Sequence, residues 1–155
     1  MNNHKKLTFY IILLLLCELC SCNQLKELPK LNFELSSIKG ECMVRYIEFS
    51  KEVDENVLLV IGIGDVTINF KTIFNNQKLD YYDRIYLTNS SGDKYQIEGI
   101  GIHDEYIENK QMLVINTHMA FKVPKNSDIN DFTLNIENPG KTQSYILSDY
   151  IKNKR

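Results

Sequence analysis

Apolar and polar residues alternate with a period of two from about residue 42 onward, and no other feature constrains the fold as strongly. The alternation is clearest at residues 66–71, 112–123 and 132–137. A period of two places successive side chains on opposite faces of an extended strand. Isoleucine, valine, tyrosine, phenylalanine and threonine dominate these stretches, as they do in strands generally. The pattern therefore predicts an all-β protein.

Turn-forming residues divide the alternating pattern into about eight strands. Gly64-Asp65 is typical of a two-residue hairpin turn, and residues 89–93 (NSSGD) predict a second hairpin. The predicted strands lie near 42–49, 57–63, 66–74, 82–88, 94–102, 111–123, 131–137 and 143–151. Many short strands at this spacing predict an antiparallel β-sandwich of seven to eight strands, with a barrel as the alternative. Residues 36–50 also fit a helical stripe, so that segment stays ambiguous.

The N-terminal segment has the organisation of a secretory signal. Lys5 and Lys6 precede an apolar run from Leu7 to Cys17, which only Thr8 interrupts. A membrane-spanning helix needs about 20 apolar residues, and this run is roughly half as long. A basic start, a short apolar middle and a small-residue exit predict a signal helix that is removed from the mature protein. The alternative is a buried core helix.

The end of this segment, Leu19-Cys20-Ser21-Cys22, resembles the lipobox of bacterial lipoproteins. The resemblance implies cleavage after Ser21 and attachment of acyl chains such as palmitate to Cys22. Cys20 is an unusual residue at the variable position of the box. Because Asn23, not aspartate, follows Cys22, the resemblance favours the outer membrane over the inner membrane. The expected location is the bacterial cell envelope, with the membrane bound through the lipid anchor.

These boundaries predict three segments: a signal peptide at 1–21, a lipidated tether at 22–35 and a β-sandwich domain at 36–155. The tether would reach about 45 Å at most when fully extended. The spacing of Leu31, Phe33 and Leu35 leaves open that the first strand begins there. Cys42 lies among apolar residues and is predicted to be a buried small side chain, with a reactive thiol as the alternative.

A second resemblance involves the stretches IYLTNSSGDKYQI and MAFKVPKNSDINDFTLNI. They resemble exported bacterial proteins with an immunoglobulin-like sandwich, and the matching residues are Gly92, Tyr95, Phe121, Val123 and Pro124. The glycine that those proteins carry shortly before the phenylalanine is missing here. The resemblance implies an immunoglobulin-like β-sandwich that acts outside the cytoplasm as a binding module without catalysis.

Composition and motifs exclude several kinds of chemistry. From Cys22 onward the chain has 16 basic and 19 acidic residues, so we predict no nucleic-acid partner. His103 and His118 are predicted to be surface residues, with His103 in a loop, and no metal-binding spacing is present. Turn chemistry accounts for the oxygen-rich stretches 89–93 and 126–131. No nucleophile motif occurs. We therefore predict no metal, no cofactor and no enzymatic activity, and the sequence identifies no small-molecule substrate.

One cluster of side chains stands out as a candidate interaction patch. Tyr82, Arg84 and Tyr86 would share one face of the predicted strand 82–88. Tyrosine and arginine are enriched at the centres of protein interfaces, although tyrosines also cap sheet edges with their hydroxyls in water. The sequence thus predicts an envelope lipoprotein that binds another envelope protein. The alternatives are a periplasmic inhibitor or immunity protein that uses residues 99–111, and a small envelope hydrolase.

Overall fold

The computed structural model describes residues 30–35, 38–68, 81–108 and 111–151. Its strands are β1 (Leu31–Glu34), β2 (Ile38–Val53), β3 (Asn56–Ile68), β4 (Ile85–Thr88), β5 (Lys94–Glu108), β6 (Gln111–Pro124), β7 (Thr133–Asn138) and β8 (Lys141–Ile146). Two single-turn helices, α1 (Tyr81–Arg84) and α2 (Ser148–Ile151), and a 3₁₀ turn at Ile129–Asp131 complete the described chain.

All strand pairs are antiparallel, in the order β1-β2-β3-β6-β5-β4-β7-β8, so the prediction of an antiparallel all-β protein is confirmed. β5 joins two parts of the sheet, because it pairs with β4 over Lys94–Gln96 and with β6 from Ile97 onward. The sheet curls until it is nearly barrel-shaped. The immunoglobulin-like sandwich stays a prediction.

The inner face of the curled sheet holds a packed apolar core. Phe33, Phe121 and Phe132 are its largest fully buried side chains, and leucines and isoleucines from β1, β3, β4 and β7 fill the space between them. Cys42 is 1% exposed on this face, as its apolar neighbours predicted. The alternation of the sequence thus reports which side chains point inward.

Side chains close the gap between β1 and the other end of the sheet. β1 pairs with β2 along one edge only. On its other edge, the Asn138 side chain accepts a hydrogen bond from the Glu34 N–H at 2.8 Å and donates one to the Asn32 carbonyl at 3.0 Å. The Tyr145 hydroxyl accepts from the Asn32 N–H at 3.0 Å. The Asn138 carboxamide therefore bonds β1 as a neighbouring peptide group would.

Several of the predicted strand limits are wrong. β3 runs without a break through Gly64-Asp65 and pairs with β6 on both sides of it, so no hairpin turn forms there. β1 begins at Leu31 within the stretch predicted as a tether, which agrees with the alternative that the first strand begins there. The last predicted strand stops at Ile146 and is followed by α2. The ambiguous segment 36–50 contributes strand β2 from Ile38 onward.

The hairpin predicted at residues 89–93 is confirmed. Gly92 has a φ of 87°, a left-handed value that glycine adopts at little cost. The Asn89 side chain accepts a hydrogen bond from the Asp93 N–H and closes the turn. The predicted signal segment and Cys22 lie outside the described residues. Within the described ranges, no helix has the length and apolar character to span a membrane.

Candidate functional site

Glycines on the outer face of the sheet are covered by larger side chains of the neighbouring strands. Tyr46, Gly62, His118 and Gly101 form one row across β2, β3, β6 and β5. A Cβ atom on Gly62 would collide with the Tyr46 ring, and one on Gly101 would collide with the His118 imidazole. Packing of these two rings therefore explains both glycines.

A groove of about 430 Å³ opens beside this row on the outer face. Gly99, Gly101 and Ala120 provide small residues along it, and Val53 and Leu58 contribute apolar side chains. The polar residues that line it are Glu98, His118 and Lys122. Its volume falls within the range of about 300–1,000 Å³ that is typical of sites for small ligands.

Gly99 differs from the other glycines of the outer face, because no packing contact requires it. A Cβ atom on Gly99 would meet no atom within 4 Å, and its φ is not in the left-handed range. A glycine inside a strand costs roughly 0.5–1 kcal/mol relative to alanine. Gly99 follows a register shift between Ile97 and itself, which is a β-bulge or a related irregularity. Both features are typical of places where a ligand or backbone approaches a sheet closely.

The groove carries charges of both signs. Glu98 is exposed and Lys122 is half-buried. Among the described residues the ion pairs are Lys30–Glu41 and Lys125–Glu52, so neither groove charge takes part in one there. The Glu98 carboxylate can accept hydrogen bonds and the Lys122 ammonium can donate them. The groove can therefore contact a ligand through an acidic group, a basic group and an apolar wall.

The predicted patch of Tyr82, Arg84 and Tyr86 does not have the expected geometry. Residues 81–84 form the helical turn α1, and the strand begins only at Ile85, so a shared strand face is wrong for Tyr82 and Arg84. Alternating side chains cannot distinguish one helical turn from the start of a strand. Tyr82 is 37% exposed, and its ring lies 4.5 Å from the ring of the buried Tyr81.

Arg84 and Tyr86 both contact Glu137 on β7. The Arg84 Nε donates to the Glu137 carbonyl oxygen at 2.8 Å, and its Nη2 donates to the same oxygen. Burial raises the pKa of Tyr86, and a hydrogen bond with the Glu137 side chain raises it further. The Lys94 ammonium lies 3.6 Å above the centre of the Tyr86 ring. Arg84 and Tyr86 thus connect to β7 and stabilise the sheet. Tyr82 is the most exposed of the three predicted patch residues.

The described residues contain no group of three or more histidine, cysteine, aspartate or glutamate side chains arranged to hold a metal ion. His118 is half-buried on the outer face, opposite to the inward Phe121. His103 lies within β5 and not in a loop, and its side chain is outside the described part. In the oxygen-rich loop, Asp128 accepts a hydrogen bond from the Asn130 N–H at 2.9 Å, which is turn chemistry.

The groove was not predicted from the sequence. The stretch Gly99-Ile100-Gly101 within a predicted strand was the available signal, because strand glycines often mark close approach of another molecule. Comparison of the chain with protein-family models, curated proteins and solved structures gave no match.

Proposed function

We propose that this chain is a cell-envelope lipoprotein, anchored through Cys22, whose β-domain is a non-catalytic binding module. The anchor is supported by the sequence Leu19-Cys20-Ser21-Cys22 after a short apolar run with a basic start. Several acyl chains would hold the protein at the membrane, since each buried methylene contributes about 0.8 kcal/mol. The outer membrane and an immunoglobulin-like arrangement of the strands remain parts of this proposal.

The observation that supports binding best is the distribution of polar groups. The inner face is filled almost entirely with apolar side chains, so most polar side chains of the described sheet lie on the outer face. There the groove lined by Glu98, Gly99 and Lys122 is open, and it combines apolar and charged residues. Such a surface suits recognition of a partner or ligand.

The anchor is tested by the intact mass of the full chain purified from bacterial membranes. We expect the loss of residues 1–21 and a gain equal to the mass of acyl chains. A Cys22→Ser variant should show neither change, and Cys20→Ser is the matched control that should still be acylated. Wild-type protein that retains Leu7–Cys17, or that is cleaved without gaining acyl mass, would contradict the anchor.

Binding is tested by chemical crosslinking and recovery of the lipoprotein from envelopes. A Gly99→Val variant, which fills the groove, should lose a partner that wild type recovers. Thr142→Val is the control, because it adds the same side chain at an exposed position on β8. Recovery of the same partners by both variants would exclude the groove as the binding surface.

An inhibitor or immunity protein is the second candidate function. Of the stretch 99–111 that suggested a cleft-filling loop, residues 99–108 lie in β5 and Gln111 begins β6, where it pairs with Glu108. β5 pairs with β4 only over Lys94–Gln96, so the rest of the β5–β6 pair extends past β4. A strand pair of this kind could enter the cleft of a lytic enzyme. Inhibition of envelope lytic enzymes by the purified protein would favour this role. The alternative from a different functional class is a small envelope hydrolase.

A further inference from the structure

We propose that the groove on the outer face binds an amino acid or short peptide in its zwitterionic form. This inference rests on the proposed binding role and names its ligand, and it does not depend on the lipid anchor. Three features carry it: the unexplained glycine at position 99, the two charges of opposite sign and the apolar residues beside them.

The first feature is the open space that Gly99 leaves in the groove. The position above Gly99 is empty to 4 Å, and Ala120 is its partner across the strand pair. Two small residues side by side leave the backbone of the sheet accessible from outside. The volume of about 430 Å³ accommodates a ligand of one to three amino-acid residues. A larger side chain at position 99 would occupy that space.

The charges determine the chemical class of the ligand. A purely anionic ligand would be repelled by Glu98, and a purely cationic ligand by Lys122, whereas a zwitterion can use both. In the pairing that we infer, Glu98 accepts hydrogen bonds from the ligand ammonium and Lys122 donates to the ligand carboxylate. Hydrogen bonds between two charged groups are shorter and stronger than neutral ones.

The apolar residues provide the remaining contact. Val53 and Leu58 line the same groove as the two charges. An apolar ligand side chain placed against them would be removed from water, which is favourable in proportion to the area buried. The preferred ligand therefore has an apolar residue between or beside its two charged ends.

Calorimetry and NMR titration of the full chain with the dipeptide leucyl-alanine test this inference. We expect a Kd of about 1 mM, the order of magnitude for a ligand of this size. N-acetyl-leucyl-alanine and leucyl-alanine amide each lack one charge and should bind at least tenfold more weakly. Lys122→Gln and Glu98→Gln should each weaken leucyl-alanine about tenfold, and Gly99→Val should abolish binding. Lys141→Gln is the control for charge loss outside the groove and should bind as wild type does.

Each outcome separates this inference from the proposed function. No leucyl-alanine binding at 10 mM, equal binding of the two blocked dipeptides, or undiminished binding by Gly99→Val would overturn the zwitterion site. A circular dichroism spectrum and urea midpoint show whether Gly99→Val is folded, and Lys122→Gln provides a second variant without a packing change. If crosslinking in envelopes still recovers a partner, the binding role stands and only its ligand is refuted.

Discussion

Replacing Asn138 should loosen the attachment of β1, because this side chain substitutes for a missing strand neighbour. Asn138 is 5% exposed and bonds both the N–H of Glu34 and the carbonyl of Asn32. Its Nδ2 also donates to the Gln143 side chain. Asn138→Ala removes all three hydrogen bonds at once. The Glu34 N–H and the Asn32 carbonyl then lose the hydrogen-bond partner that replaced water when the protein folded.

The expected loss of stability follows from these bonds. A typical intramolecular hydrogen bond contributes about 0.5–1.5 kcal/mol net, and an unsatisfied buried group costs about 1–3 kcal/mol. Since the bonds to β1 are only partly buried, we expect Asn138→Ala to lower the free energy of unfolding by about 2–3 kcal/mol. Asn126→Ala, at an exposed loop position, is the control and should change it by less than about 0.5 kcal/mol.

Asn138→Asp separates geometry from charge. An aspartate keeps the shape and can still accept from the Glu34 N–H, but a carboxylate cannot donate to the Asn32 carbonyl. Burial and that carbonyl should both raise the pKa of the introduced carboxyl above its usual range. The folded state then binds a proton more tightly than the unfolded state, so stability should be regained as pH falls from 7 to 4.

Urea unfolding at pH 7 and pH 4 measures these changes. Hydrogen exchange locates them at the Glu34 amide, which bonds Asn138, and at the Asn32 amide, which bonds Tyr145 and reports loosening of β1 as a whole. The reasoning is refuted if Asn138→Ala lowers stability by less than 0.5 kcal/mol, or if exchange at these two amides is unchanged. It is also refuted if Asn138→Asp is no more stable, relative to wild type, at pH 4 than at pH 7.

Three further predictions concern other parts of the sheet. Burial raises the pKa values of Tyr81 and Tyr150 above the ordinary value of 10.0. The two protonated hydroxyls therefore contribute fully to stability below pH 10, and this contribution is lost as pH rises above it. The urea midpoint should fall above pH 10, and it should fall less steeply in Tyr150→Phe. Gly62→Ala should cost about 1–3 kcal/mol in urea unfolding because the new methyl collides with the Tyr46 ring, whereas Gly99→Ala, the matched control, should not destabilise the protein. Arg84→Ala should cost about 1–3 kcal/mol, since the Glu137 carbonyl loses two charged donors, and Lys141→Ala should leave the midpoint unchanged.

The sequence predicts the inward side chains well and the limits of the strands poorly. The period of two depends only on which face of a strand is buried, so residues such as Val66, Phe121 and Leu134 are identified correctly. The hairpin predicted at Gly64-Asp65 is wrong because a glycine is compatible with either a turn or a strand position that a neighbouring side chain covers. In the structure Gly64 pairs with both β2 and β6, and the Arg45 side chain occupies the space that a Cβ atom on Gly64 would need.

The candidate site was harder to predict because it depends on register. Glu98, Gly99 and Lys122 become neighbours through the pairing of β5 with β6 and the register shift after Ile97. The alternation in β6 places Lys122 on the outer face, but it does not reveal the register shift on β5 that sets which residues lie beside Lys122. The strand face predicted for Tyr82, Arg84 and Tyr86 was wrong for the opposite reason, since these residues are close in sequence but the first two lie in the helical turn α1.

The start of β1 changes how an anchored domain would sit at the membrane. If Cys22 bears the lipid, eight residues separate it from Leu31, and they span about 27 Å at most instead of the 45 Å expected for a longer tether. The domain would then stay close to the bilayer, and any force on the anchor would reach β1 first. Four paired residues of β2 and the side chains of Asn138 and Tyr145 resist that force. Because Asn138 bonds β1 from β7 and Tyr145 bonds it from β8, pulling on the anchor would load both ends of the curled sheet rather than β2 alone.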